Sequence, residues 1–217
     1  MPASLRIDRV RDALLVIDLQ PDFMPGGALA VAEGDRVVAP VAALVPRFHT
    51  VVATQDWHPR RHVSFASSHP GKQPFDTILL NGASQTLWPD HCVEGTSGAA
   101  LHEGLPMEPV TLVQRKGHRP DADSYSAFRE NVGAGGSRPP TGLAGWLRER
   151  GITRVFACGL ARDYCVRWSA LDGRSAGFEV VVLEDLVRSV APAAAAETTR
   201  ALVEGGVVLG HSAELEA

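Results

Sequence analysis

Cysteine is scarce in this chain: three in 217 residues. An odd, small number rules out a disulfide framework and points to reduced thiols, one of which is free to be chemically active. Long apolar runs are also missing. Charges interrupt the first segment, MPASLRIDRVRDALLVIDLQ, before it reaches signal-peptide length, and no stretch approaches the roughly 20 apolar residues of a membrane span. The expected location is the cytoplasm, with no membrane partner. Nor is there an excess of positive charge. A formal net charge of −4 repels a phosphate backbone, so nucleic acid is not an expected partner. Internal repeats and low-complexity tracts are absent, and 45% hydrophobic with 21% charged residues describes an ordinary globular protein. The length suits one α/β domain spanning 1–217.

What is present alternates. ALLVID (13–18), TVVATQ (50–55), VTLVQ (110–114), TRVFACG (153–159), FEVVVLED (178–185) and GVVLG (206–210) are near-continuous apolar runs, as in strands buried on both faces of a parallel sheet. Helical patterns fill the gaps at 35–49, 141–150, 163–176 and 192–204. The expectation is a doubly wound, six-stranded, mainly parallel sheet with helices on both faces, and with its chemistry at the carboxyl ends of the strands. Asp18, Asp56 and Lys116 fall at such ends, and CGLARDYC leaves the fourth strand the same way. Two segments break the alternation. The span 56–104 reads as a functional loop region with short helices, and RENVGAGGSRPPTG (129–142) as a mobile surface loop.

Cys165 would sit in the first turn of a helix, where free N–H groups and the helix dipole favour a thiolate. Cysteines are most often small buried hydrophobes, and Cys158 and Cys92 read that way. A nucleophilic thiol needs a base or cation and a proton donor. Asp18 and Lys116 can supply them from strands expected to neighbour the Cys165 strand. In TQDWHPRRHVSF and WPDHCVEG, Asp56, His58 and His91 could form a mixed carboxylate and imidazole site. His62 and His69 are rival ligands by composition, while His49, His102, His118 and His211 read as surface or helix-end residues.

Together, ALLVIDLQPDFMPGGALAV, TQDWHPRRHVSFASSH, QTLWPDHCVEGTSGA, RKGHRPDADSYSAF and CGLARDYCV resemble the nicotinamidase/pyrazinamidase branch of the isochorismatase-like cysteine hydrolases, nearly end to end and in the family's order. The resemblance implies a catalytic triad of Asp18, Lys116 and Cys165 and an oxyanion hole from the N–H groups of Ala161 and Cys165, with a cis peptide between Leu160 and Ala161. It implies aromatic walls from Phe23, Trp88 and Tyr125. It also implies one divalent ion, zinc first with manganese or iron as alternatives, on Asp56, His58 and His91, with Ser64 reaching it through water. The substrate implied is a small aromatic amide, nicotinamide and with it pyrazinamide, converted to the acid and ammonia through a cysteine thioester in NAD salvage. A homodimer is compatible with the pattern, the 129–142 segment serving as lid or subunit contact. Arg162 departs from the family, which often has Thr there, and puts a positive charge either at the pocket rim or in solvent. Three rivals remain: a related cysteine amidohydrolase acting on a carbamoyl or ureido substrate, an isochorismatase without a nucleophilic cysteine, and a non-enzymatic binding module.

Overall fold

The computed structural model describes residues 5–216. Six strands form its main sheet: β1 (Asp12–Ile17), β2 (Thr50–Asp56), β3 (Leu112–Lys116), β4 (Arg154–Leu160), β5 (Glu179–Arg188) and β6 (Val208–Gly210). Their order is β3-β2-β1-β4-β5-β6, and every neighbouring pair is parallel. The inner apolar runs become strands because both of their faces are covered, while β3 and β6 at the sheet edges stay exposed at Val113 and Val208. Along β1 and β4, Leu14, Val16, Phe156 and Cys158 enter one core, and Ala13, Leu15, Ile17, Val155 and Ala157 enter the other.

Helix α1 (Val38–Leu44) closes the first core with Val38, Val41 and Leu44, spaced to share one face. Helices α2 (Leu143–Glu149), α3 (Arg167–Ser175) and α4 (Ala195–Glu204) close the second through Leu143, Leu147, Ala170 and Leu202. The helix expected over 35–49 is shorter. Short 3₁₀ turns at Gly34–Val37 and Val45–Arg47 flank α1, and Pro46, lacking an N–H, stops it. No helix among the described residues is long and apolar enough to cross a membrane.

The strand order corrects one expectation. Asp18 does follow a strand adjacent to β4, but Lys116 ends β3 at the sheet edge, with β2 and β1 between it and β4. Local sequence carries no information on that order, and Lys116 reaches the Cys165 region through its long side chain instead. The 56–104 span also differs. Besides a 3₁₀ turn at Ala66–Ser68 it contains an antiparallel hairpin, Thr77–Leu80 with Ala83–Thr86. Its two connecting residues, Asn81 and Gly82, both take positive φ, 51° and 81°, as a tight hairpin turn requires. The order reverses between β1 and β4, where a crevice opens at the carboxyl ends.

Candidate active site

Asp18 leaves β1 in the left-handed region, φ 48°, which turns its carboxylate into the crevice. Thr54 on β2 fixes it: the hydroxyl donates to Asp18 Oδ1 at 2.6 Å and accepts from the Asp18 N–H at 3.1 Å. Gln20 ties the same two strand ends together, accepting from the Asp56 N–H at 2.7 Å and donating to the Asp56 carbonyl at 2.8 Å. Lys116 is fully buried. Its ammonium lies 2.8 Å from Asp18 Oδ2, contacts Asp56 Oδ1, and reaches Cys165 Sγ at 3.3 Å and the Ser124 carbonyl at 3.3 Å.

Cys165 lies in a π-helical turn, Arg162–Val166, that runs directly into α3; the helix expected at 163–176 therefore starts as a wider coil. Gly159 precedes this turn at φ 108°, and a Cβ there would fall 2.0 Å from the Ile17 carbonyl oxygen, so only glycine lets β4 approach β1 at this point. The Leu160–Ala161 peptide is cis, as the resemblance implied.

The electrostatics follow from burying four ionisable groups together. Burial pushes the Cys165 thiol well above its ordinary value; Lys116 pulls the other way, while Asp18 and Asp56 add to the rise. Burial also raises Asp18, with Lys116 offsetting part of the effect. At Asp56 burial acts in the same upward sense, yet Lys116 and His58 win and hold the carboxyl well below the usual range. Burial alone would lower Lys116, but Asp18 and Asp56 keep it well above its ordinary value. Lys116 is thus a fixed cation and Asp56 a fixed anion. Asp18 and Cys165 are the pair between which a proton can move. Asp18 Oδ2 is held by the Lys116 ammonium at 2.8 Å, and the same carboxyl accepts from the Cys165 thiol.

Asp56 faces a second group with its other oxygen: Oδ2 lies 3.5 Å from His58 Nε2 and 3.7 Å from His91 Nε2. His58 Nδ1 donates to the Gly117 carbonyl at 2.9 Å and His91 Nδ1 to the Pro89 carbonyl at 2.8 Å. Both rings therefore aim Nε2 at Asp56 with Nδ1 held by a carbonyl, the orientation that metal-bound histidines take. These three residues form a buried group able to hold an ion. The N, N, O donor set fits a divalent metal such as zinc, manganese or iron. His62 and Asp123 make a second cluster with His58, but His62 is occupied on both sides, by Ser64 Oγ at 2.7 Å and by the Arg119 carbonyl at 2.8 Å. Ser64 is buried and engaged by His62. His69 donates to the Val63 carbonyl at 2.8 Å and belongs to none of the candidate ligand groups among the described residues.

A tight cavity, with about 20 Å³ of free space, connects the two groups. Phe23, Trp88 and Tyr125 line it with Cys165, Ala161, Asp56, His58 and His91. Sequence reasoning missed Leu29, Asp123, Tyr164 and Val190, which also line it. Asp123 and Tyr164 stand inside motifs already singled out, DADSYSAF and RDYC, whereas Leu29 and Val190 carry no signal beyond hydrophobicity. Arg162 takes neither expected position. It is buried and bonds Glu184 through two nitrogens at 2.9 and 3.1 Å, and Thr199 Oγ1 at 2.8 Å, so its charge is neutralised against β5 and α4. The 129–142 segment is tied down by Arg138, which forms a two-point ion pair with Asp172 at 2.9 and 2.6 Å.

Comparison with known proteins agrees with this geometry. The isochorismatase domain family matches residues 12–214. A nicotinamidase of Acinetobacter baylyi is 48% identical over 82% of this chain and 81% of that protein. Among solved structures, an Acinetobacter baumanii nicotinamidase/pyrazinamidase superposes with TM-score 0.90 at 43% identity, covering 96% of this chain and 99% of that one. PnC1 from L. infantum, solved in complex with nicotinate, gives TM-score 0.85 at 42% identity over 98% of each chain. A Pyrococcus horikoshii pyrazinamidase solved with zinc gives 0.74 at 36%, covering 93% of this chain and 99% of that one. The chain belongs to the isochorismatase family, within its nicotinamidase/pyrazinamidase branch.

Proposed function

We propose that this protein hydrolyses nicotinamide, and with it pyrazinamide, to the carboxylic acid and ammonia. The observation that carries the reading is the buried contact of Lys116 with Asp18 and Cys165, 2.8 and 3.3 Å from its ammonium, one carboxylate away from the Asp56, His58 and His91 group. Asp56, His58 and His91 would hold one divalent ion, zinc by its suitability for two imidazoles and a carboxylate. The chemistry that ion supplies is a Lewis-acid anchor for the ring nitrogen of the substrate. Ser64 would act on it only through water, its hydroxyl being committed to His62.

Phe23, Trp88 and Tyr125 wall the ring and set the carboxamide against Cys165. Asp18 takes the thiol proton as sulfur attacks the carbonyl carbon, and Lys116 stabilises the negative charge on whichever of the two bears it. The N–H groups of Ala161 and Cys165 receive the developing oxyanion. Asp18 then delivers the proton to the departing nitrogen, and ammonia leaves a nicotinoyl thioester. A water deprotonated by Asp18 attacks that thioester, the C–S bond breaks, and the acid and free thiol are released. One sheet with a core on each face supports reading 1–217 as a single hydrolase domain. Its three unpaired thiols suit a reducing compartment such as the cytoplasm, and the reaction suits NAD salvage.

The test is ammonia release from nicotinamide by the purified protein, beside Cys165→Ala and after chelation of metal. Turnover that disappears in the variant and falls on chelation is expected. Metal retained with no release from nicotinamide would reject the assignment and favour carbamoyl or ureido substrates on the same triad.

A further inference from the structure

One buried carboxylate of the cavity has no part in the reaction described above. Asp123 lines the cavity beside Tyr125 and is 2% exposed. Its two oxygens accept from the Ser124 N–H and from Gln85 Nε2, each at 2.8 Å. Both donors are neutral, and burying a carboxylate without a cation is costly. Hydrogen bonding does not demand the charge. An asparagine could accept from Ser124 equally well, and Gln85 Nε2 has two further acceptors, the Thr86 carbonyl at 2.7 Å and the Tyr125 hydroxyl at 3.0 Å.

The position of Asp123 gives the charge a use. The next residue, Ser124, offers its carbonyl to the Lys116 ammonium at 3.3 Å, while the Asp123 carboxylate lies within 4.8 Å of a ring nitrogen of both His58 and His62. It thus stands between the Lys116 end of the cavity and the imidazole end. Lys116 and Asp18 cancel one another. A divalent ion on Asp56, His58 and His91 carries two positive charges, of which Asp56 removes one, the imidazoles being neutral ligands. Asp123 removes the other. A neutral amide therefore meets a neutral cavity, whereas the acid formed from it carries a charge that has lost its hydration and finds no partner. With a neutral side chain at 123 the same cavity would hold one net positive charge and would suit a carboxylate.

Resting on the amidase reading above, we propose that Asp123 is a specificity-determining residue that sets the cavity against anions, so that the neutral amide binds and its carboxylate product is expelled.

The experiment measures Kd by titration calorimetry on the zinc-loaded protein carrying Cys165→Ala, which prevents turnover, with and without Asp123→Asn. The probes are nicotinate, nicotinamide and 3-(aminomethyl)pyridine, which share a ring and differ in the charge of its substituent: anion, neutral and cation at neutral pH. A unit charge a few ångströms from the ligand in a protein interior changes affinity by about tenfold or more. Asp123→Asn should therefore tighten nicotinate by about that factor, weaken the cation similarly, and move nicotinamide by less than about twofold. A cavity that is merely damaged weakens all three, and that outcome, or an unchanged Kd for nicotinate, overturns the proposal. Asp123→Glu keeps the charge and should keep nicotinate the weaker ligand of the acid and amide pair. Nicotinate held more tightly than nicotinamide with Asp123 in place overturns the proposal without any variant at 123. Ammonia release by the protein with Cys165 intact reads the amidase activity separately. Opposite shifts of anion and cation with no release from nicotinamide would uphold this inference and reject the amidase reading; release without those shifts would do the reverse.

Discussion

At Asp18 the burial that raises the carboxyl sets the acid limit of the reaction. Its ordinary value is 3.8 and its environment moves it upward, burial first. Only the ionised form can accept the thiol proton, so lowering the pH through the raised value protonates the base and removes activity. The acid limb of kcat/KM against pH should therefore lie above 3.8, within a range where circular dichroism still reports a folded protein; a limb at or below the ordinary value would remove Asp18 from the role of base. Arg162 makes a stability prediction. Replacing it by Ala leaves Glu184 without its partner and loses the bond to Thr199. Because Glu184 is 23% exposed, the cost should fall below that of a fully buried pair, about 1–3 kcal/mol in denaturant unfolding. Arg162→Lys should recover only part of it, since an ammonium cannot reproduce the two-point contact.

Between one element and the next, positions are set by backbone that tolerates no side chain. Gly117 follows β3 at φ 66°, and a Cβ there would fall 2.3 Å from the His58 ring. The same residue offers the carbonyl that orients His58. Gly117→Ala should therefore push the imidazole off Asp56 and weaken metal binding by about 10–100-fold, the usual effect of losing such an orienting contact. Equilibrium dialysis with zinc measures this directly, and unchanged affinity would show that His58 is not held from Gly117. The inner strands were legible in the sequence because their apolar runs can be buried only between two layers, whereas the edge strands are part-exposed; the strand-end positions of Asp18, Asp56 and Lys116 followed from the alternation. The hairpin at 77–86 was overlooked despite its Asn81-Gly82 signal, since its flanking strands are half exposed and lack the apolar run used to find the others. The π-helical turn was illegible because one wide coil leaves the periodicity of α3 unchanged. Strand order depends on long-range pairing, which is why Lys116 was assigned a strand too near Cys165.

Across the whole molecule, the site draws its residues from four strand ends and from the loop carrying His58 and His91, so a bound ion would tie together segments far apart in sequence. Asp56 lies on β2 beside Gln20 and Lys116, and Pro89 holds His91 through its carbonyl. In the unfolded chain these donors are dispersed, so an ion bound by the native site stabilises folding by mass action, about 2.7 kcal/mol at a free concentration one hundred times Kd. For a chain of this size each kcal/mol moves Tm by roughly 2–4 °C, which gives an expected rise of roughly 5–11 °C on saturation. Scanning calorimetry of the chelated protein with and without added zinc checks it. His58→Ala should lose most of the shift, because one of the two imidazoles is gone, whereas His69→Ala should retain it, its ring being directed at the Val63 carbonyl. A rise of equal size in both variants would place the ion elsewhere and separate the Asp56, His58 and His91 group from metal binding.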